Sequence, residues 1–207
     1  YSMAWEGKNV LAVVPARGGS KGIHRKNLKF VGGISLVARA AQAALEAPWL
    51  DEAIVSTDDD EILAEALSCG LEAPFVRPSE LSGDDATSVD MWRHAWTMAE
   101  AHYQCEFHIS ILLEPTSPLR TLNDIERTIR ALVDGGYRAA VTVSPTPAHY
   151  TPHKTLKVDG DGTIGFYLDG GSRHALRQSI PEFYHRNGIC YAVTREALVE
   201  HGEILER

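Results

Sequence analysis

The sequence predicts an α/β fold, a three-layer Rossmann-like domain with a mainly parallel sheet. Short apolar runs typical of strands alternate with segments of helical periodicity, a pattern that indicates βαβ units. A glycine-rich loop directly follows the first apolar run, Val10 to Ala16, and further polar motifs follow later strands. Because ligands bind beyond the carboxyl ends of parallel strands, these motifs point to a site at that edge.

The first half of the chain contains two predicted strand–helix pairs. After the first strand and its loop, residues 35–47 form a helix with an apolar stripe that includes Leu45, and Pro48 ends it. Residues 53–57 form the second strand, and Asp59 or Asp60 caps the next helix. That helix is predicted to bury four apolar side chains: Ile62, Leu63, Ala66 and Leu67.

The second half adds a tryptophan-rich helix over residues 89–101 and a central strand over 107–113. Thr121 with Asp124 resembles a capping box, and the helix it opens ends at Gly135 before a strand over 139–144. Residues 155–164 predict a hairpin with its turn at 159–162, and 188–193 predict a final strand. The chain of 207 residues is interpreted as one domain, 1–207, in which residues 145–185 form an excursion that covers a site.

Composition narrows the possible partners. A net charge of −8 argues against broad binding of nucleic acid or of an anionic membrane. The three cysteines, Cys69, Cys105 and Cys190, are far apart, which indicates neither a disulfide framework nor a zinc site. No apolar run reaches membrane-spanning length and no signal peptide opens the chain, so a cytoplasmic location is expected.

The loop after the first strand has the residues that a polyphosphate needs. Glycines let backbone N–H groups approach an anion, and interspersed cations neutralise its charge. The Walker A pattern is absent, because Lys21 precedes Gly22 and no Gly-Lys-Ser/Thr follows. A surface turn is the alternative interpretation. The loop residues are Arg17, Gly18, Gly19, Ser20, Lys21, Gly22, Arg25 and Lys26.

Four motifs follow predicted strands, and together they favour a nucleotide site. They are the glycine-rich loop, Ser56-Thr57-Asp58, the segment from Glu114 to Arg120, and the segment from Ser144 to Lys154. On these and further motifs the chain closely resembles the CMP-sialic acid synthetases, cytidylyltransferases that activate nonulosonic acids with CTP. The further motifs occur in family order: Lys26-Asn-Leu, Arg77-Pro-Ser-Glu-Leu, Asp85-Ala-Thr-Ser, Arg177-Gln-Ser-Ile-Pro and Asn187-Gly188 with Tyr191.

The resemblance implies a nucleotidyltransferase and assigns roles in nucleotide binding. Arg17, Lys21 and Lys26 would hold the triphosphate and offset its charge during transfer. The other nucleotide-binding residues implied are Ala16, Gly18, Ser20, Gly22, Asn27, Arg77, Ala86 and Ser88. A surface salt bridge is the alternative for Arg77, and a strand-end cap is as good an interpretation of Asp58 as a catalytic role.

The resemblance also implies a sugar-acid site. Lys154 and Arg177 would contact the carboxylate, and Tyr191 would wall the pocket; a surface salt bridge for Lys154 and a core aromatic for Tyr191 are the alternatives. The remaining sugar-binding residues implied are Glu114, Thr116, Ser117 and Gln178. The family also implies a homodimer and Mg²⁺ bridging the phosphates.

Two departures from the family pattern affect the expectations. Glu114 stands where the family usually has Gln, which puts N-acetylneuraminate in doubt and leaves room for a related acid, or for a metal ligand. The family's aspartate-rich metal segment has no counterpart after Tyr191, so no metal ligands are assigned and the segment is expected beyond the printed residues.

The predicted reaction is attack of the anomeric 2-hydroxyl of a nonulosonic acid on the α-phosphate of CTP, with release of pyrophosphate. Three alternatives remain open. The same fold could act on 3-deoxy-octulosonate or a sugar phosphate, or the chain could bind CTP without turnover. A Rossmann dehydrogenase is the third, although residues 18–22 do not fit G-x-G-x-x-G.

Overall fold

The computed structural model describes residues 5, 7–20, 22–169 and 181–205. The chain divides into two compact units. The first, here called the sheet unit, comprises residues 1–142 and 188–207, and the second, the inserted unit, comprises residues 143–187. Within the described residues, no helix has the length and apolar character needed to cross a membrane.

The main sheet contains five strands, which are β1 (Val10–Pro15), β4 (Glu52–Ser56), β5 (Ile109–Leu112), β6 (Ala139–Pro145) and β9 (Tyr184–Thr194). Their order across the sheet is β4-β1-β5-β9-β6. β1 pairs in parallel with both β4 and β5, with Val13 opposite Ile54 on one side and Leu112 on the other. β9 runs antiparallel to β5, so the sheet is mixed, and the predicted central position of β5 is confirmed. A two-residue pair, β2 (Phe30–Val31) and β3 (Ile34–Ser35), precedes α1.

Helices cover both faces of this sheet. They are α1 (Leu36–Leu45), α2 (Asp60–Ser68), α3 (Ser88–Tyr103) and α4 (Leu122–Asp134). Alternate residues of β1 point to opposite faces: Val10, Ala12 and Val14 share a core with α1, α2 and α4, whereas Leu11 and Val13 pack with Trp92 and Trp96 of α3. The predicted three-layer α/β fold is therefore confirmed.

The predicted helix caps form as the sequence indicates. The side chain of Asp59 accepts hydrogen bonds from the backbone N–H groups of Glu61 and Ile62, and Thr121 with Asp124 forms a complete capping box. Two predicted inward-facing residues are wrong, because Leu45 and Leu67 are each 50% exposed. Leu45 is the last residue of its helix and Leu67 the last but one, so neither is enclosed by a following turn of the same helix.

The inserted unit contains the predicted hairpin, formed by β7 (Leu156–Val158) and β8 (Ile164–Phe166). Leu156 pairs with Phe166 and Val158 with Ile164, so four apolar side chains share one face. All four are exposed. Most of the predicted excursion over 171–183 lies outside the described residues, and its function in covering a site stays a prediction.

Candidate active site

A cleft of about 600 Å³ lies at the carboxyl ends of β1 and β5 in the sheet unit. Its lining combines the glycine-rich loop, the segment before α3 and the segment after β5. The lining residues are Pro15, Arg17, Ser20, Gly22, Ile23, Lys26, Asn27, Arg77, Leu81, Gly83, Ala86, Thr87, Ser88, Met91, Leu112, Glu114, Pro115 and Thr116. The motifs after the first and the central strand, which are far apart in sequence, therefore meet at one site.

The glycine-rich loop is fixed by contacts to the start of α2. The backbone N–H of Gly18 donates to the Asp58 carboxylate at 3.0 Å, so the Asp58 side chain holds the loop in place. A Cβ at position 18 would lie 2.7 Å from Oδ2 of Asp59, so any residue other than glycine would displace this cap. Asn27 is buried and donates to the carbonyl oxygen of Arg17 at 3.0 Å, which closes the loop from its other end.

Arg17 connects the loop to the segment that leads into α3. Its Nη1 donates to the carbonyl oxygens of Gly83 at 2.9 Å and Ser82 at 3.2 Å, and lies 3.4 Å from an oxygen of Asp84. The side chain is 36% exposed and lines the cleft. These contacts hold the Arg17 side chain at the cleft, against the segment that precedes α3.

The first turn of α3 opens onto the cleft. Thr87 caps this 16-residue helix by accepting from the Asp90 N–H, while Ala86 and Ser88 line the cleft beside it. The free N–H groups and the dipole of a helix N-terminus favour negative charge. This helix end adds to the positive potential that the loop cations create.

Arg77 is a buried cation at the end of β4. It is 5% exposed, its Nε donates to the Ser56 hydroxyl at 2.9 Å, and Nη2 donates to the Ser56 carbonyl oxygen. Burial lowers the pKa of Arg77 to about 10, opposed by the nearby Asp58 carboxylate, so the guanidinium is charged at neutral pH. The surface salt bridge considered for Arg77 is thus wrong, because the side chain lies in the interior and still lines the cleft.

Arg120 fixes the segment after β5 to β9. Its guanidinium donates to the carbonyl oxygens of Glu114 at 2.7 Å, of Gly188 at 3.3 Å and of Ile189. Burial lowers the pKa of Arg120 to about 10, which leaves it charged at neutral pH. Ser117 adds a hydrogen bond from its hydroxyl to the carbonyl oxygen of Gly188 at 2.8 Å.

Gly188 lets the Glu114 carboxylate lie against β9. Its φ of +71° is one that side-chain-bearing residues rarely adopt, and a Cβ there would lie 2.7 Å from Oε2 of Glu114. Arg120, Ser117 and Gly188 thus set the position of Glu114 at the cleft.

The structure brings together ten of the residues predicted for the site. Arg17, Ser20, Gly22, Lys26, Asn27, Arg77, Ala86, Ser88, Glu114 and Thr116 all line the cleft. Four other predicted residues lie in the sheet unit but are not among the residues that line the cleft. Ala16 is fully buried, and Tyr191 is packed in the core on the α3 side. Gly18 contacts Asp58, and Ser117 contacts Gly188. Lys154 belongs to the inserted unit, and Lys21, Arg177 and Gln178 lie outside the described residues.

No role for Arg120 follows from the sequence alone, although its contacts shape the site. An arginine after Pro118-Leu119 has no local pattern that predicts burial, because its three acceptor carbonyls come from two separate segments. The apolar lining residues Ile23, Leu81 and Met91 were also missed. They provide the apolar surface against which a planar base could pack.

The chain matches a family model described as cytidylyltransferase over residues 11–161. It is 28% identical to the post-translational flagellin modification protein B of Campylobacter coli over 195 residues, which are 94% of this chain and 81% of that protein. It is 29% identical to a pseudaminic acid cytidylyltransferase of Campylobacter jejuni over 196 residues, 95% of this chain and 83% of that protein. An N-acylneuraminate cytidylyltransferase of Escherichia coli is 30% identical over 187 residues, 90% of this chain and 42% of that protein.

Solved structures support the same fold. A CMP:2-keto-3-deoxy-manno-octonic acid synthetase complexed with CTP superposes with a TM-score of 0.68 and 20% identity, covering 96% of this chain and 79% of that one. A 4-diphosphocytidyl-2C-methyl-D-erythritol synthase from Anaerococcus prevotii gives a TM-score of 0.62 and 15% identity, and the match covers 95% of this chain and 75% of that one. Since the family model spans most of the sequence, the chain belongs to the cytidylyltransferase family and is a nucleotidyltransferase.

Proposed function

We propose that this enzyme transfers CMP from CTP to the anomeric hydroxyl of a nonulosonic acid. The hydroxyl oxygen bonds to the α-phosphorus, the bond from that phosphorus to the bridging oxygen breaks, pyrophosphate leaves, and the hydroxyl proton is released to water. Relatives named for pseudaminic acid, N,N'-diacetyllegionaminic acid and N-acylneuraminate support an acceptor of this class. The dehydrogenase alternative is wrong, because the chain is a cytidylyltransferase.

One observation carries the proposal: Arg17, Lys26 and Arg77 line a single cleft beside the N-terminus of α3. Three cations and a helix N-terminus suit the four negative charges that CTP carries. Nη1 of Arg77 and the side-chain oxygen of Asn27 can pair with the edge of cytosine, and Ile23, Leu81 and Met91 can pack on its face. Catalysis would then come from positioning and from neutralising the phosphates.

The role of Mg²⁺ is part of the proposal. Among the described residues no group of three or more His, Cys, Asp or Glu side chains could hold a metal ion, and the lining described for the cleft contains one carboxylate. Mg²⁺ is commonly held by substrate phosphates with few protein carboxylates. We therefore expect the ion to enter as the magnesium salt of CTP and to offset charge on its phosphates.

We further propose a homodimer in which the exposed apolar face of the β7–β8 hairpin contacts a second copy. Leu156, Val158 and Ile164 are more than half exposed on that face, which favours burial in an interface. A cytoplasmic location, where CTP is made, belongs to the same proposal.

The test is pyrophosphate release with CTP and Mg²⁺ across N-acetylneuraminate, pseudaminate, legionaminate and 3-deoxy-octulosonate. Turnover of one nonulosonic acid is the expected result. Preference for 3-deoxy-octulosonate or for a sugar phosphate would assign another acceptor. CTP binding without turnover of any acceptor would favour a non-catalytic CTP-binding protein.

A further inference from the structure

Arg25 differs from the two loop cations that line the cleft. Arg17 and Lys26 are lining residues, whereas Arg25 is not among those described for the cleft, although it directly precedes Lys26. Its guanidinium lies against the first turn of α2 instead. There Nη1 donates to Oε1 of Glu61 at 2.6 Å, and Nη2 lies 3.4 Å from both carboxylate oxygens of Asp59. A loop cation whose charge is engaged outside the cleft has a role other than direct contact with phosphate.

The backbone of Arg25 has an unusual conformation. Its φ of +53° and ψ of +41° lie in the left-handed region, which strains a residue that has a Cβ. Such strain persists only where surrounding contacts hold it. The short helical turn Lys26–Leu28 begins directly after this residue, with the Leu28 N–H donating to the carbonyl oxygen of Arg25 at 3.0 Å. The conformation of Arg25 therefore sets the direction of the turn that carries Lys26 and Asn27 to the cleft.

The start of α2 anchors both ends of the glycine-rich loop. At the first end, Asp58 accepts from the Gly18 N–H at 3.0 Å, and Oδ2 of Asp59 lies 2.7 Å from the place that a Cβ at position 18 would take. At the other end, Asp59 and Glu61 hold Arg25. Asp59 also caps α2, so its carboxylate is fixed by the helix. A loop held in this way loses less conformational freedom when a ligand binds.

Electrostatics alone would make the acidic start of α2 unfavourable for CTP. Glu61 is an acidic side chain near a site for phosphates, and like charges repel. On that ground, removal of the Glu61 charge should improve CTP binding. If Glu61 acts by holding Arg25, its removal should weaken CTP binding, because Arg25 loses its shorter contact. The sign of the effect therefore separates the two roles.

We infer that Arg25 is a positioning residue for CTP binding, whose ion pairs with Glu61 and Asp59 hold the loop that carries Lys26 and Asn27. This inference rests on the proposed binding of CTP in the cleft. A partly exposed ion pair adds little to stability. Since the side chains of Arg25 and Glu61 are 33% and 67% exposed, their replacement should affect CTP binding more than folding.

The test measures the dissociation constant of CTP by calorimetry, without an acceptor, in Arg25→Ala, Glu61→Gln and the double variant. We expect R25A to weaken binding by about fivefold or more and E61Q by about threefold or more, because each removes the same contact. The double variant should bind CTP no more weakly than R25A. Arg25→Lys, which keeps the charge without the planar fork, should lie between wild type and R25A.

Arg138→Ala is the matched control. Arg138 is 35% exposed, lies 3.5 Å from Glu196 and 3.4 Å from Glu203, and is not among the lining residues described for the cleft. Because it is a similar ion-paired arginine far from the loop in sequence, R138A should bind CTP within about twofold of wild type. Thermal unfolding of R25A and E61Q should change no more than that of R138A.

Three results would overturn the inference. They are unchanged or tighter CTP binding in E61Q, a double variant whose loss equals the product of the two single losses, and weakening in R138A as large as in R25A. The first would mean that Glu61 acts through its charge alone, the second that the two residues act independently, and the third that any lost ion pair has this effect. Wild type that binds no CTP would overturn the proposed function itself, a result seen before any variant is compared.

Discussion

At the scale of single residues, Lys26 and Lys29 form a natural matched pair for testing the phosphate site. Lys26 lines the cleft, whereas Lys29 lies three positions later, is exposed and does not line it. We expect Lys26→Ala to raise the KM for CTP by about tenfold or more, because a charge-assisted contact to phosphate is lost. Lys29→Ala should leave it within about twofold. Steady-state kinetics at saturating acid measures both, and equal effects would show general electrostatics instead of a specific contact.

His94 on α3 predicts a pH dependence of stability. Its buried Nδ1 has no hydrogen-bond partner among the described residues, and its ring packs edge-on against Phe75 with centroids 5.1 Å apart. Burial and the charge of Arg77 lower the pKa of His94 below its usual 6.5, against a smaller opposing effect of Glu80. When the pH falls below 6.5, the unfolded chain binds a proton at His94 more readily than the folded chain does. The contribution of neutral His94 to stability is therefore present above pH 6.5 and is lost as the pH falls through the lowered pKa of the folded chain.

A His94→Gln variant removes this titration. Urea unfolding measured between pH 7 and 5 should show a shallower fall in the free energy of unfolding for H94Q than for wild type, whatever the difference at neutral pH. Parallel curves for the two proteins would mean that His94 takes up its proton equally well in the folded and unfolded chains.

The residues that lie at the cleft were predictable where a local sequence pattern specified them. Arg17, Lys26 and Asn27 belong to one loop, and their meeting at the cleft follows from their place after a buried strand. Arg120 could not be predicted, because its three acceptors meet only in the folded chain. Burial of Arg77 likewise depends on Ser56, 21 positions away.

At the scale of elements, β9 contributes to the site through Gly188, which leaves space for the Glu114 side chain. A matched pair of glycine-to-alanine substitutions can test this role. Gly188 and Gly136 have similar positive φ angles, +71° and +65°, but a Cβ would contact Glu114 only at position 188 and meets nothing within 4 Å at position 136. Each glycine-to-alanine change should cost about 1–2 kcal/mol of stability through backbone strain. Only G188A should also reduce kcat/KM for the acid, because the added methyl displaces the Glu114 carboxylate.

Thermal unfolding and acid kinetics on Gly188→Ala and Gly136→Ala separate these two effects. A loss of acid turnover in G136A as large as in G188A would attribute the effect to stability alone. Unchanged turnover in G188A would show that Glu114 can move aside without consequence.

Elements with strong local signals were predictable from the sequence. The capping box of α4, the Asp59 cap of α2 and the β7–β8 turn all depend on residues within a few positions of one another. The sequence predicts a final strand over residues 188–193, but β9 has 11 residues and runs antiparallel to β5. Strand length and direction here depend on pairing with distant segments, which periodicity does not encode.

At the scale of the whole molecule, the hairpin face predicts the state of assembly. Val158 lies on the apolar face of β7 and is 67% exposed, whereas Lys157 points to the opposite face. We expect wild type to sediment as a dimer and Val158→Asp to sediment as a monomer, since a charge in an apolar interface is costly. Lys157→Asp should remain dimeric. Sedimentation of wild type as a monomer at micromolar concentration would contradict the homodimer proposal.

The place at which the inserted unit joins the sheet has an evolutionary consequence. The chain enters the inserted unit from β6 and leaves it through β9, and these two strands are neighbours in the sheet. Where they meet, the Thr142 hydroxyl donates to the carbonyl oxygen of Cys190 and accepts from its backbone N–H. Since the two ends are already close, lengthening the segment between them adds little closure entropy. Insertions within residues 143–187 should therefore cost little stability, and the chain can gain length there in evolution while the nucleotide cleft, which residues of the sheet unit line, stays intact.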